Sequence, residues 1–141
     1  MSRVTSLTPI ITKGAISGVV GGLLYGWAMR QLGTLSSISS LIDTQNEVAG
    51  FALHMAIAVL VGVIFAGLMS YQRAGPSEML YWGVAYGALW WFIGPLTLVP
   101  VILTGQLDWS LAAAHAQLPN LLGHFIFGLG MAISLFWLTV D

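Results

Sequence analysis

The stretch Gly14-Ala-Ile-Ser-Gly18-Val-Val-Gly-Gly22-Leu-Leu-Tyr-Gly26 decides the fold. Gly14, Gly18, Gly22 and Gly26 recur at every fourth position, so on a helix they form one stripe without side chains. In water each of these glycines would cost a helix roughly 1 kcal/mol relative to alanine. In lipid no hydrophobic force draws helices together, and a bare stripe lets two backbones approach closely. The stretch therefore predicts a helix bundle embedded in a membrane.

Composition points the same way. The chain has 141 residues, of which 57% are hydrophobic and 6% charged; soluble domains carry about 25% charged residues. Mean hydropathy is +0.89. The length suits a single domain over residues 1–141. The net charge of −1 comes without any basic run, so there is no electrostatic footprint for nucleic acid. With no cysteine, disulfides, thiolate metal sites and cysteine nucleophiles are excluded. Met1 to Thr8 is too short and too weakly basic for a cleavable targeting peptide, so the first apolar stretch is expected to remain as a span.

A helix needs about 20 apolar residues to cross a bilayer. Stretches of that kind lie at about 9–29, 48–70, 80–103 and 119–140. The expected fold is all-α: a four-helix transmembrane bundle with a short interfacial helix on its outer side. Lys13 and Arg30 lie near the ends of the first span, where long side chains can snorkel. Arg3, Lys13 and Arg73 fall on one side of the bilayer; Asp43, Glu47 and Asp108 fall on the other, with Arg30 as the contrary charge. The bias of positive charge predicts cytoplasmic termini. Aromatic residues support that layout, with Tyr71, Tyr81, Trp82 and Trp137 at the inner level and Trp27 and Trp109 at the outer one. Trp90 and Trp91 fall in mid-span and are expected to fill space against lipid or a partner.

The outer loops carry their own signals. Asp108 is placed to cap a short helix from Trp109 to Leu118, with Leu107, Leu111 and Leu118 on the face toward the membrane. His115 on that turn is expected to face water. Leu32 to Asn46 mixes Ser and Thr with Leu and Ile, and is expected to lie along the interface as well.

The two halves of the chain resemble each other. Gly18-Val-Val-Gly-Gly22 parallels Gly83-Val-Ala-Tyr-Gly87, and Leu53-His54 parallels Gly123-His124. Two hairpins of like orientation imply a parallel repeat about an axis along the membrane normal. Each hairpin then holds one histidine at similar depth. His54 lies on the stripe Gly50, His54, Ala58, Gly62, Ala66, and His124 on Asn120, His124, Gly128, Ala132. Small residues mark faces that touch other helices, so both imidazoles are expected to point into the bundle.

Three readings of that pair are open. In the first the imidazoles are structural and hydrogen-bond a carbonyl, Ser17, Asn120 or each other. In the second they ligate haem b or a chlorin from opposite faces, with Ala58 and Gly128 leaving room for the ring. In the third they titrate, in a proton or pH-sensing role. The third span is broken by Gly94, Pro95 and Pro100, so a kink is expected, and Thr97 can satisfy a freed carbonyl. No Asp or Glu lies inside a span, and no catalytic triad, acid pair or phosphate loop appears. No catalytic residue and no metal site is therefore assigned.

Several of these segments occur together: Leu53-His54 through Phe65-Ala66-Gly67, Gly83 to Gly87 with Trp90-Trp91, Gly94-Pro95-Leu96 with Pro100, and Gly123-His124-Phe125-Ile126-Phe127-Gly128. In this the chain resembles a broad group of uncharacterised bacterial inner-membrane proteins, the YagU-like group. The resemblance implies a bacterial plasma-membrane protein with four helices and no established catalytic activity. It also implies a link to acid tolerance, which suits His54 and His124 as titrating groups. The leading functional expectation is a non-enzymatic membrane protein acting through helix contacts, as a homo-oligomer or an accessory subunit of a membrane complex. A bis-histidine electron carrier and a small-solute or proton conduit are the alternatives.

Overall fold

The computed structural model describes residues 7–140. Arg3, part of the orientation signal, and most of the segment Met1 to Thr8 lie outside the described residues. The chain forms α1 (Leu7–Leu32), α2 (Leu35–Ser39), α3 (Glu47–Met69), α4 (Pro76–Ile93), α5 (Val99–Thr104), α6 (Leu111–Ala116) and α7 (Leu118–Thr139), with no strand among the described residues. A 3₁₀ turn, Ser40–Ile42, follows α2, and one π-helical turn, Gly94–Leu98, joins α4 to α5. Four helical stretches are long and apolar enough to cross a membrane: Leu7–Leu32, Glu47–Met69, Pro76–Thr104 and Leu118–Thr139.

The helix boundaries follow from local chemistry. The Asn46 side chain accepts from the backbone N–H groups of Val48 and Ala49, which caps α3. Pro76 occupies the first turn of α4, and Glu78 reaches back to accept from the Gly75 N–H at 3.0 Å. Gly33 after α1 and Gly105 after α5 both take positive φ, at 67° and 72°, where a β-carbon would be strained. The first and third spans thus end in the same way.

Packing is organised by glycine. α1 lies against α3 and α7, and α7 lies also against α4, so the large contacts run α3–α1–α7–α4. Gly14, Gly18, Gly22 and Gly26 all face α3. A β-carbon on Gly14 would fall 2.6 Å from the Val63 α-carbon, and one on Gly18 would strike the Ala58 main chain. The second hairpin repeats this register. Gly83 faces Gly128 and Ala132, just as Gly18 faces Ala58 and Gly62; Gly87 faces the His124 main chain. Between the hairpins, Gly21 abuts Phe127 and Met131, and Gly123 leaves the space that the Tyr25 ring fills. Large apolar residues stay exposed along every span, among them Leu23, Leu60, Leu89 and Ile133, as lipid contact requires.

Two expectations need correction, and a third gains a contact. The helix in the third loop runs Leu111–Ala116, not Trp109 to Leu118, and Ser110, not Asp108, caps it by accepting from Ala113 N–H at 3.2 Å. Asp108 instead accepts from Ser110 N–H at 2.9 Å, which steadies the cap and holds its carboxyl below the usual carboxylate range. The first loop, expected along the interface, also packs on the first turns of α3. It turns back on α3, burying Leu35 and Ser39, and Gly50 has no side chain because the Leu35 carbonyl occupies that space. The mid-span tryptophans are used inside the chain: Trp91 Nε1 donates to the Gln117 carbonyl at 2.9 Å, and Trp90 packs edge-on against Tyr86.

Candidate functional site

α3 and α4 are kept apart by large side chains. The Phe65 and Tyr86 rings stack at 4.9 Å between them, and the Tyr86 hydroxyl donates to the Val61 carbonyl at 3.0 Å. Beyond this bridge the third span changes course. Pro95 and Pro100 cannot donate to the preceding turn, and the chain answers with a wider turn in which Val99 N–H reaches the Gly94 carbonyl five residues back. As expected, Thr97 takes up a freed carbonyl: its hydroxyl donates to Phe92 O at 2.7 Å, and it accepts in turn from Trp109 Nε1.

The space so opened is a cavity of ≈ 360 Å³ in the half of the bundle away from the termini. Its walls are mostly apolar: Ile57, Val61, Leu98 and Phe127, with Ile38 and Leu41 of the first loop above them. Its polar groups come from Tyr25, His54, Asn120, His124 and Gln117, with Thr34 and Ser37 from the first loop. Trp90 also lines it, and the Trp90 Nε1 is a buried donor with no hydrogen-bond partner.

Both histidines predicted from sequence therefore reach one site, His54 on α3 and His124 on α7. They do not face each other directly. The Tyr25 ring stands between them, edge-on to His54 at 5.4 Å and to His124 at 4.8 Å. His54 is 8% exposed, and its Nε2 donates to the Gly22 carbonyl of α1 at 2.9 Å. His124 Nδ1 donates to the Asn120 carbonyl of its own helix at 2.8 Å. A carbonyl can only accept, so the proton sits on those nitrogens in the neutral rings. His54 Nδ1 and His124 Nε2 are left as acceptors. Tyr25 Oη donates to Asn120 Oδ1 at 3.2 Å, and Asn120 Nδ2 donates to Gln117 Oε1 at 2.6 Å, which fixes the Tyr25 ring in place.

A macrocycle held by both imidazoles needs their free nitrogens opposed across an open slot. The Tyr25 ring packs against both imidazoles and occupies that slot. Ala58 and Gly128, the small residues meant to leave room for a ring, are covered by α1 and α4. The residues present do not fit haem b or a chlorin ligated by this pair. Among the described residues no three His, Cys, Asp or Glu side chains gather as metal ligands. His115 is exposed on α6, away from the cavity lining.

Tyr25 and Gln117 are site residues that the sequence reading did not pick out, and Trp90, expected to fill space against lipid or a partner, lines the site as well. A signal for Tyr25 was present: Gly123, immediately before His124, is the gap that a large ring from another helix must enter. Comparison with known proteins adds nothing to this geometry, since no family model, curated protein or solved structure matches the chain.

Proposed function

We propose that this chain is a non-enzymatic, multi-pass protein of the bacterial plasma membrane that takes a small amphipathic molecule into its outer cavity, as a carrier or conduit. One observation carries the reading: a ≈ 360 Å³ cavity with mostly apolar walls and a few polar groups, His54 and His124 among them. That size and that mix of surface suit a small, mostly apolar ligand with a hydrogen-bonding group. The two imidazole acceptors would meet a donor on the ligand, such as a hydroxyl or amine. The broken third span gives the cavity a wall of irregular backbone, which membranes tolerate where it lines a cavity. Both termini are assigned to the cytoplasm, supported by Lys13 and Arg73 at their end of the bundle and by Asp43, Glu47 and Asp108 at the other.

A role as homo-oligomer or accessory subunit had the glycine stripe and the mid-span tryptophans as its motives, and Trp90 and Trp91 are engaged within the chain. Gly14, Gly18, Gly22 and Gly26 are covered by α3 of the same chain, so that surface does not serve a partner. The cavity is the better-supported seat of function.

The test is mass analysis of small molecules extracted from the purified protein, beside two variants. Ile57→Trp fills the cavity from its wall, and a paired His54→Ala, His124→Ala change removes its acceptors. We expect a compound enriched with the parent protein and depleted several-fold from both variants. Equal recovery from all three would overturn the reading.

A further inference from the structure

The opposite end of the bundle holds a second cavity, of ≈ 400 Å³, bounded by the start of α1, the end of α3, the loop after it and the end of α7. Its lining includes Lys13 of α1 and Arg73 of the α3–α4 loop. The whole chain has only four Lys and Arg residues, and two of them, far apart in sequence, converge here. Among the described residues no carboxylate lines this cavity. Glu78, the nearest acidic residue along the chain, uses its Oε2 to accept from Gly75 N–H at the start of α4.

The rest of the lining is layered. Ala66, Met79 and Leu135 form a buried apolar floor, and Gln72 stands at the rim. The neighbouring hydroxyls add no donors, because Ser70 Oγ already donates to Gly67 O and Thr139 Oγ1 to Leu135 O. Among the side chains, the donors left for a ligand are the two cations and the Gln72 amide. An apolar floor beneath paired cations at the end of a membrane span suits a phosphate group, above all one that carries acyl chains. We propose that this cavity is an anion site for a phosphate-bearing headgroup, gripped between Lys13 and Arg73. This site is separate from the histidine cavity and does not depend on its role.

The experiment is native mass spectrometry of the full-length protein in mild detergent, titrated with phosphatidylglycerol and with phosphatidylcholine of the same chain length. Each cation near a bound anion is worth roughly fivefold in affinity. We expect phosphatidylglycerol to be preferred by about tenfold or more, and the preference to vanish in a Lys13→Gln, Arg73→Gln variant. A Lys13→Arg, Arg73→Lys variant keeps the charges and should keep the preference, which separates charge recognition from general damage to the fold. Competition with glycerol 3-phosphate distinguishes the sources: displacement at millimolar concentration assigns the site to soluble phosphates, and persistence of bound phosphatidylglycerol assigns it to lipid. No preference in the parent protein, or one that survives loss of both cations, overturns the proposal.

Discussion

The two hairpins share one packing register and put it to different use. In the first, α1 and α3 close along Gly14, Gly18, Gly22 and Gly62, and His54 adds a bond across the seam to Gly22 O. In the second, α4 and α7 close along Gly83, Gly87 and Gly128, but His124 bonds only to its own helix, at Asn120 O. Both spans of the first hairpin are uninterrupted α-helix. In the second hairpin the leading span is α-helix only as far as Ile93, after which the π turn carries the chain away and opens the cavity. Glycine contact sets where helices meet, then, and the proline-broken segment sets where they part. A chain can repeat the first device and vary the second.

The largest effect is expected where the two hairpins are alike. Gly18→Leu and Gly83→Leu each drive a side chain into main chain of the facing helix. Each should cost at least the 1–3 kcal/mol typical of overpacking, read as the unfolding midpoint in detergent. Gly67→Ala and Gly94→Ala meet nothing within 4 Å and should change stability by less than about 0.5 kcal/mol. Should Gly83→Leu be tolerated while Gly18→Leu is not, the shared register would not be what holds the second hairpin.

A middle-sized effect is expected where the hairpins differ. Removing His54 deletes a bond between two helices, worth around 0.6 kcal/mol in a membrane. Removing His124 deletes a bond within one helix. His54→Ala should therefore be the less stable variant by roughly that amount. Pro95→Ala should straighten the second hairpin and narrow its cavity. Because the chain has no cysteine, a single Ile57→Cys can report on this, and its rate of maleimide labelling should fall several-fold when Pro95→Ala is added.

This contrast also separates what the sequence discloses from what it withholds. Four-residue spacing of small residues is a local pattern with a direct physical meaning, and it placed the contact faces of the first, second and fourth spans. The same periodicity turned His54 and His124 inward. It could not say that Tyr25 would stand between them, because that depends on the distance between α1 and α7, set by Gly21 and Gly123 together. Pro95 and Pro100 announced a kink but not its direction, and the cavity follows from direction. The return of the first loop onto α3 was hidden for a similar reason. Leu35 and Ser39 read as interface residues until Gly50 provides the gap that receives the Leu35 carbonyl.

The smallest effects belong to the two outer loops, which complete the contrast. Asn46 caps α3 beneath a loop that is packed into the bundle, and Asn46→Ala should cost about 0.5 kcal/mol, the low end for such a cap, because its bonds are exposed to solvent. Asp108 supports the Ser110 cap of a six-residue helix that buries none of its side chains. Its pKa is lowered chiefly by the Ser110 backbone N–H, so its carboxylate form favours the folded loop. That contribution is present above the ordinary carboxylate value and disappears as pH falls through the lowered one. Full exposure to solvent keeps it small, so Asp108→Asn should leave the unfolding midpoint unchanged within error at neutral pH. What it should alter is local: faster amide exchange over Leu111–Ala116, with no change at α3. If Asn46→Ala also changed only its own loop, the packed first loop would contribute nothing to the span it covers, and the difference between the two outer loops would be one of shape alone.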